Sequence, residues 1–273
     1  MNKIKNYFFL SKTFKKKLRY YYHKYIEKYI EKVKFFNCVL ATNEIFIKNV
    51  FNKNGIEIGG PSFFFRNFIT VYDYINNLDN VNFSNRNIWS GKINEGQYYI
   101  WSSSSKKIGK QFINCSTNLT KITDKKYDFL LSSHQLEHVA NPIKALEEFK
   151  RILKPSGKII LILPYSKYNF DHKRPITKFE HILSDFKNNI KEDDLTHLQE
   201  SLDLTDFAIN ETNIDEFTIL AKNNYYTRIL HHHVFDEELV FKIFNYVNIK
   251  ILNFEKNTKQ FPSLSFLGEK IHL

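Results

Sequence analysis

The sequence predicts an α/β fold built on a mostly parallel sheet with helices on both faces. Apolar runs of strand length alternate with helix-like runs between residues 54 and 164, and these apolar runs are nearly continuous. Helix-capping residues separate the two kinds of segment. Because strands that are apolar on both faces must be covered on both sides, the pattern indicates a parallel sheet between two layers of helices.

The first part of this pattern begins with GIEIGG at residues 55–60, a short apolar strand that ends in two glycines. The run at 62–78 is predicted to be a helix, and residues 80–84 are predicted to be the second strand. After a polar, serine-rich stretch, QFINCS at 111–116 is predicted to be the third strand.

The next part is the clearest. YDFLLSS at 127–133 is predicted to be a buried strand, and GKIILILP at 157–164 is the most strand-like run in the chain. The residues between them, 141–154, are predicted to form a helix, with Asn141 as its N-cap and Pro142 at its first position.

The predicted α/β domain takes in residues 51–273, and an apolar content of 42% is enough for a substantial core. It ends with a helix at 236–247 and a strand pair at 249–256 and 263–270. Residues 165–235 make a longer connection than two neighbouring elements require. We expect this segment to be a lid that binds the substrate.

The positive charge of the chain is concentrated at its beginning. Of the net charge of +11, residues 1–40 contribute eleven Lys or Arg residues and two Glu residues. Their aromatic and aliphatic residues recur near helical spacing, so residues 1–50 are predicted to be a basic, aromatic-rich helical extension. The first interpretation is that this extension packs on the domain, and the second is that it contacts an anionic membrane surface. Nucleic acid is an unlikely partner, because the positive charge is concentrated at the start of the chain and is not spread along a binding groove.

Two cysteines in dissimilar contexts, Cys38 and Cys115, do not form a disulfide framework, which favours a reducing compartment. The apolar residues near the beginning of the chain are interrupted by lysine, and no later stretch approaches the length of a membrane span. We therefore expect a cytoplasmic protein, with the inner face of the membrane as a second location.

Several motifs resemble those of class I S-adenosylmethionine-dependent methyltransferases. The block from YDFLLSSHQLEHVANP to GKIILILP resembles the fourth-strand, helix and fifth-strand block of that family, and EIGGPS stands where the family has its glycine-rich motif. Together with FDHKRPIT, EDDLTHL and LHHHVFD, these motifs look like a bacterial subgroup often associated with surface-glycan biosynthesis. The resemblance covers about residues 54–254. It implies a Rossmann-like sheet of seven strands, the last antiparallel.

The resemblance implies S-adenosylmethionine as the cofactor and assigns its contacts. In that family the acidic residue that ends the first strand supports the following loop and approaches the cationic methionine portion of the cofactor. The glycines of the loop allow the backbone to come close to the adenosyl group. Residues after the second strand face the ribose, and residues after the third strand face the adenine. The matching positions are Glu57, Gly59, Gly60, Pro61, Asn82, Cys115, Ser116 and, at the end of the fourth strand, Ser132.

Three departures from the family pattern keep other functions open. The usual alternating glycines are replaced by Gly59-Gly60-Pro61, and the acids expected near ribose and adenine are replaced by Asn82 and Cys115. A scaffold that kept the fold and lost the cofactor is therefore one alternative. A nicotinamide-dependent sugar-modifying enzyme is another, although it would be expected to carry a G-x-G-x-x-G loop after the first strand, which this chain lacks.

Transfer of a methyl group to a hydroxyl oxygen requires a base, and histidine suits that role near neutral pH. His134 follows the fourth strand and His172 follows the fifth, so both are predicted to be catalytic. An acceptor that is already ionised, such as a carboxylate or a phosphoryl oxygen, would need no base.

Further polar residues are predicted to bind the acceptor, which the resemblance makes a sugar, a nucleotide sugar or a related small glycan precursor. Arg and Lys suit phosphate or carboxylate oxygens. The candidate residues are Asp171, Lys173, Arg174, His231, His232 and His233. The spacing of the three consecutive histidines is not diagnostic of a metal site, so no metal is predicted.

Overall fold

The computed structural model describes residues 44–88, 90–101, 108–210, 213–258 and 262–271. Residues 1–43 of the predicted basic helical extension lie outside these ranges. Residues 44–50 form helix α1, and its side chains Phe46 and Val50 are fully buried against the sheet domain. The folded domain therefore includes residues that the sequence pattern assigned to the extension.

The strands occupy the following ranges: β1 (Asn54–Ile58), β2 (Asn77–Asn82), β3 (Arg86–Asn87), β4 (Gly91–Lys92), β5 (Tyr98–Tyr99), β6 (Gly109–Ile113), β7 (Tyr127–Ser133), β8 (Leu153–Pro164), β9 (Ile249–Asn257) and β10 (Ser263–Lys270). The further helices are α2 (Phe63–Asn67), α3 (Pro142–Ile152), α4 (Phe179–Lys187), α5 (Leu198–Leu204), α6 (Phe207–Asn210), α7 (Ile214–Lys222), α8 (Asn224–Thr227) and α9 (Glu237–Tyr246). Short 3₁₀ turns lie at Val71–Asp73, Leu136–His138 and Ser166–Tyr168.

The main sheet has eight strands in the order β5-β6-β2-β1-β7-β8-β10-β9. Strands β6, β2, β1, β7 and β8 run parallel, while β10 is antiparallel to both β8 and β9. This arrangement confirms the predicted Rossmann-like fold with an antiparallel last strand. The strand beyond the predicted seven is β5, a two-residue edge strand antiparallel to β6.

Both faces of the sheet are buried, as the continuous apolar strands predict. Along β7, Leu130 packs into the core on one face, whereas Phe129 and Leu131 pack into the core on the other. Along β8, Ile159 packs into the same core as Leu130, and Ile160 packs into the core on the other face. Successive side chains of a strand point to opposite faces, so each strand contributes to both cores and fixes the sheet between two layers.

Two elements differ from their predicted extents. The run at 62–78 forms only the five-residue helix α2 and a 3₁₀ turn before β2 begins at Asn77, because its aromatic, Thr and Asn residues are weak helix formers. Helix α3 begins as predicted, with the Asn141 side chain accepting a hydrogen bond from the Lys144 amide, but it ends at Ile152 and passes directly into β8.

The segment at 165–235 carries helices α4 to α8 and contributes to the wall of the main cavity. Part of it has a hydrophobic cluster of its own, in which Phe217, Ala221 and Leu230 are buried. Within the ranges that the structure describes, no helix combines the length and the apolar character needed to cross a membrane.

Candidate functional site

A cavity of about 730 Å³ lies at the carboxyl ends of the parallel strands. This edge is where open parallel sheets bind their ligands, and the volume is that of a typical small-molecule site. One side is formed by residues that follow the strands and the other by residues of 165–235. The lining residues are Gly59, Asn82, Phe83, Ile88, Cys115, Ser116, Ser133, His134, Gln135, Glu137, His138, Val139, Pro164, Asn169, Phe170, Asp171, Arg174, Ser201, Thr205, Phe217, Arg228, Ile229, His231 and Pro262.

The loop after β1 places two glycines in different surroundings. Gly59 has a φ of +82°, a conformation that favours glycine, and its backbone is exposed to the cavity. Gly60 is buried, and a Cβ atom there would lie 2.2 Å from Oε2 of Glu57 and 2.5 Å from the hydroxyl of Tyr99. Gly59 thus offers backbone to a ligand, while Gly60 allows the loop to pack on Glu57.

Glu57 lies beneath this loop and does not line the cavity. Its carboxylate accepts hydrogen bonds from the hydroxyl of Tyr99 at 2.6 Å, from that of Tyr72 at 2.8 and 2.9 Å, and from the Ser62 amide at 3.1 Å. Burial raises the pKa of Glu57 to about 7, although these hydrogen bonds act in the opposite direction. Glu57 therefore supports the loop, and its carboxylate is occupied by the two tyrosines rather than directed at a ligand.

Asn82 ends β2 on the wall of the cavity, and its Nδ2 atom lies 3.5 Å from the Gly60 carbonyl oxygen. Cys115 and Ser116 follow β6 and line the same part of the cavity. The Ser116 hydroxyl accepts a hydrogen bond from Nε2 of Gln135 at 3.2 Å. These residues present amide, hydroxyl and thiol groups to one space, together with the exposed backbone of Gly59.

The other residues of the predicted cofactor set lie behind this wall. Gly60 donates its amide to Oδ1 of Asn80 at 3.0 Å, and its peptide bond to Pro61 is cis. Ser132 is fully buried in β7, with its hydroxyl 3.4 Å from Oε1 of Gln135. Gly60, Pro61 and Ser132 thus lie outside the cavity lining, and Gly60 and Ser132 contact the lining residues Asn82 and Gln135.

His134 lines the cavity at the end of β7, in a left-handed conformation with a φ of 49°. Its Nδ1 atom lies 3.1 Å from the Ser133 hydroxyl. The ring is open to the cavity yet surrounded by protein, and this enclosure, with the positive charge of His231, lowers the pKa of His134 to about 4. His134 is therefore neutral at physiological pH.

Asp171, Arg174 and His231 form a buried charged network on the opposite wall. Nδ1 of His231 lies 2.6 Å from Oδ2 of Asp171, and Nη1 of Arg174 donates to Oδ1 of the same carboxylate at 3.0 Å. Burial alone would raise the pKa of Asp171, but the neighbouring His231 and Arg174 lower it to about 2. Burial likewise opposes the charged form of His231, yet Asp171 raises the pKa of His231 above its ordinary value.

Glu137 and His138 adjoin this network through the 3₁₀ turn that follows β7. Ligand atoms of Glu137, His138 and His231 lie within 4.8 Å of one another. Burial raises the pKa of Glu137 to about 7, and Oε2 of Glu137 has no hydrogen-bond partner among the described residues. Glu137 is not among the site residues predicted from the sequence. The LEH motif and its position after the fourth strand were the only signals for it.

The remaining predicted site residues lie elsewhere. His172 is 32% exposed, with Nδ1 3.0 Å from the Asn169 carbonyl oxygen, and Lys173 pairs at the surface with Asp206 at 3.2 Å. Nε2 of His232 contacts the Asn224 amide group at 3.0 Å, and His233 belongs to a separate cluster of histidines. Of the three consecutive histidines, His231 alone lines the cavity described above.

Comparison with protein-family models finds one match. Residues 82–161 match the model of a methyltransferase domain, a region that begins at the end of β2 and ends within β8. It takes in less than a third of the chain, and it contains Asn82, Cys115, His134 and Glu137. No curated protein matches the sequence.

Comparison with solved structures finds methyltransferases with very low sequence identity. One is a SAM-dependent methyltransferase from Aquifex aeolicus, with 12% identity over 84% of this chain and 89% of that chain and a TM-score of 0.45. Another is the N-methyltransferase NodS from Bradyrhizobium japonicum WM9, with 10% identity over 89% of this chain and 97% of that chain and a TM-score of 0.47. A SAM-dependent methyltransferase from Methanosarcina mazei has 11% identity over 84% and 98% of the two chains and a TM-score of 0.47.

The match to a methyltransferase domain indicates S-adenosylmethionine as the cofactor, and the residues that line the cavity fit it. Gly59 provides exposed backbone, and the Asn82 amide can hydrogen-bond to a ribose diol. Cys115 and Ser116 provide a small-residue wall for an adenine ring. The amino acid portion of the cofactor would have to be held without the Glu57 carboxylate, which the tyrosines occupy.

Proposed function

We propose that this protein is an S-adenosylmethionine-dependent methyltransferase that methylates a hydroxyl oxygen of a sugar, nucleotide sugar or related surface-polysaccharide precursor. One observation carries the proposal. A single cavity has Gly59, Asn82 and Cys115 on one wall and the Asp171–His231 pair on the other. A cofactor held on the first wall and an acceptor held on the second would meet in the same enclosed space.

Bound S-adenosylmethionine supplies a methyl group on a sulfonium, and transfer requires the acceptor oxygen to be held in line with it. The chain must therefore position the acceptor and remove its proton. Asp171 engages Nδ1 of His231, which leaves Nε2 as the nitrogen available to a hydroxyl group. We assign His231 as the general base and Asp171 as the residue that orients it and stabilises its protonated form.

Arg174 supports an acidic or highly polar acceptor. Its side chain is 1% exposed, its Nε donates to Glu200 at 2.9 Å and its Nη1 donates to Asp171. Nη2 is buried, and no described residue accepts a hydrogen bond from it. We propose that this unpaired N–H group, which lies beneath the cavity surface, turns toward a phosphoryl or carboxylate oxygen of the acceptor, as a nucleotide sugar or an acidic sugar would provide.

His134 is assigned a different role from the one that its position alone suggests. Nδ1 of His134 contacts the Ser133 hydroxyl and no carboxylate of the described residues, so its protonated form lacks the stabilisation that Asp171 gives His231, whereas a neutral imidazole can still donate or accept one hydrogen bond. We propose that His134 orients the acceptor from the strand side. His172, which lies outside the cavity lining, is not part of this scheme.

The experiment is transfer of a labelled methyl group from S-adenosylmethionine to a panel of nucleotide sugars and acidic and neutral oligosaccharides. The expected result is incorporation into an ether-linked methyl group, strongest for anionic acceptors, and loss of about 10²- to 10⁴-fold in kcat in His231→Ala. The matched control is His172→Ala, which should keep its rate. Products methylated at nitrogen, or rates that His231→Ala leaves unchanged, would contradict the proposal.

A further inference from the structure

A second cluster of histidines lies in the segment at 165–235, apart from the cavity lining. His181 and Asp185 lie four residues apart on α4, and His197 immediately precedes α5. His233 joins them from the extended chain before α9. Nitrogen atoms of the three imidazoles lie within 4.8 Å of one another. The fold thus gathers three imidazoles from three separate parts of the segment, with the Asp185 carboxylate close to two of them.

The distances among the three imidazoles are compatible with donor atoms around one small cation. Nε2 of His181 lies 2.9 Å from Nε2 of His197, and the three rings offer nitrogen atoms that all lie within 4.8 Å of one another. Oδ2 of Asp185 lies 3.3 Å from Nε2 of His181 and 3.6 Å from Nε2 of His233, which places this carboxylate beside two of the imidazoles. With bonds of about 2.0–2.1 Å, the donors of a tetrahedral zinc site are about 3.3 Å apart, so a small movement of the rings would form the site.

Hydrogen bonding within the protein leaves the cluster incompletely satisfied. His233 is 1% exposed, and its Nδ1 atom has no partner in the described part of the chain. Buried imidazole nitrogens normally have a partner, so the arrangement points to a ligand that these side chains share.

We propose that His181, His197 and His233 bind a divalent transition-metal ion such as Zn²⁺, with the Asp185 carboxylate as a hydrogen-bond partner beside the imidazoles. Imidazole ligands suit Zn²⁺, Cu²⁺, Ni²⁺ and Fe²⁺, and a tetrahedral ion would take one water molecule as its fourth ligand. The three imidazoles lie outside the cavity lining, so we assign the ion a structural role. It does not depend on the proposed methyl transfer.

The bound ion would fix the part of the chain that carries the general base. His233 is two residues from His231, and Nε2 of His233 also lies 3.2 Å from the carbonyl oxygen of Ala140, next to the turn that carries Glu137. One ion would thus tie α4 and the start of α5 to residues 231–233, which have no regular secondary structure. This gives residues 165–235 a rigid anchor close to the acceptor wall.

The test uses the full-length protein after dialysis against a chelator. Cobalt(II), which reports tetrahedral coordination through its visible absorption, is titrated first, and Zn²⁺ is then followed by calorimetry. The wild type should bind one equivalent and show the intense cobalt bands. His181→Asn, whose side chain is 40% exposed and so tolerates substitution, should weaken binding by about 100-fold or more. Asp185→Asn removes a hydrogen-bond partner rather than a ligand and should weaken binding less.

Two controls make the result decisive. His172→Asn removes a histidine of the same segment outside the cluster and should bind the metal as the wild type does. Glu137→Gln removes the carboxylate of the second group of ligand-type residues, which lines the cavity, and should also leave binding unchanged. Zinc should raise the unfolding temperature of the wild type and of both controls, but not that of His181→Asn. Absence of cobalt bands, or binding lost in Glu137→Gln and kept in His181→Asn, would overturn the proposal.

Discussion

The Nδ1 atom of His231 lies 2.6 Å from the Oδ2 atom of Asp171, although sixty positions separate the two residues in the chain. Arg174 holds the other oxygen of the same carboxylate, so the orientation of Asp171 is fixed from both sides. The contact decides which nitrogen of His231 is protonated and which is left for a substrate.

The first prediction concerns this contact. Asp171→Asn keeps the shape of the side chain but removes the charge that raises the pKa of His231, so that pKa should fall. Carbon-detected NMR titration of labelled histidine rings measures it without an acceptor. An unchanged His231 titration would contradict the assigned pair. Because the base must be unprotonated to accept a proton, the turnover of the wild type should rise with pH through the His231 pKa. In Asp171→Asn this rise in turnover should occur at lower pH, and the maximal turnover should be lower.

The second prediction concerns the ribose side of the cavity. Asn82→Ala removes the amide at the end of β2 and should weaken binding of S-adenosylhomocysteine by about fivefold, the value of one net hydrogen bond of roughly 1 kcal/mol. Asn188→Ala, at the exposed end of α4, is the matched control and should bind as the wild type does. Equal affinity of the two variants in calorimetry would place the ribose elsewhere.

The third prediction concerns Gly60. An added methyl group would collide with the Glu57 carboxylate and the Tyr99 hydroxyl, so Gly60→Ala should destabilise the fold by about 1–3 kcal/mol. Gly96→Ala is the control, since a Cβ there meets no described atom within 4 Å and only the positive φ of 78° adds a cost. Urea unfolding measures both. A Gly60→Ala variant as stable as the wild type would mean that the loop is not packed on Glu57.

The fourth prediction concerns the pH dependence of stability. Glu57 has a pKa of about 7 in the folded protein and about 4.5 in the unfolded chain, so the folded state holds the proton more tightly. This contribution is fully present below pH 4.5 and is lost as the pH rises through 7, by about 3 kcal/mol in total. Glu57→Gln has no such loss. Between pH 5 and pH 8 its unfolding free energy should therefore improve relative to the wild type.

The exposed Glu216 of α7 supplies the control for this prediction. Glu216→Gln should follow the wild-type profile across the same pH range. Parallel profiles for wild type and Glu57→Gln would show that Glu57 ionises in the folded protein as readily as in the unfolded chain.

The sequence was sufficient for the fold because its signals are local. Neighbouring residues encode several of the elements: the strand at 127–133, the start of α3 at Asn141 and Pro142, and the final strand pair. The prediction of one long helix at 62–78 was wrong because the structure of this run depends on contacts with distant residues. The side chains of Phe64, Phe65 and Tyr72 are buried, and Tyr72 also hydrogen-bonds to Glu57, so tertiary contacts add to the weak helix propensity of this run.

The candidate site could be predicted only in part, since its contacts are long-range. Position after a strand was enough to select Asn82 and His134, which do line the cavity. No spacing could show that His231 pairs with Asp171, or that His181 and His197 meet His233. The same limit explains why the histidine run did not predict a metal, because two of the proposed ligands lie more than thirty residues before it.

The most direct test of the account is calorimetric titration of the full-length protein with S-adenosylhomocysteine, on the wild type and on Cys115→Phe. Cys115 lines the space assigned to adenine, so a phenyl ring there should weaken binding by at least about tenfold. Leu252→Phe, on edge strand β9, controls for the added ring. The account predicts one site per chain in the wild type and in Leu252→Phe, and weakened binding in Cys115→Phe. A folded wild type that binds no S-adenosylhomocysteine, or a Cys115→Phe variant with wild-type affinity, would contradict it.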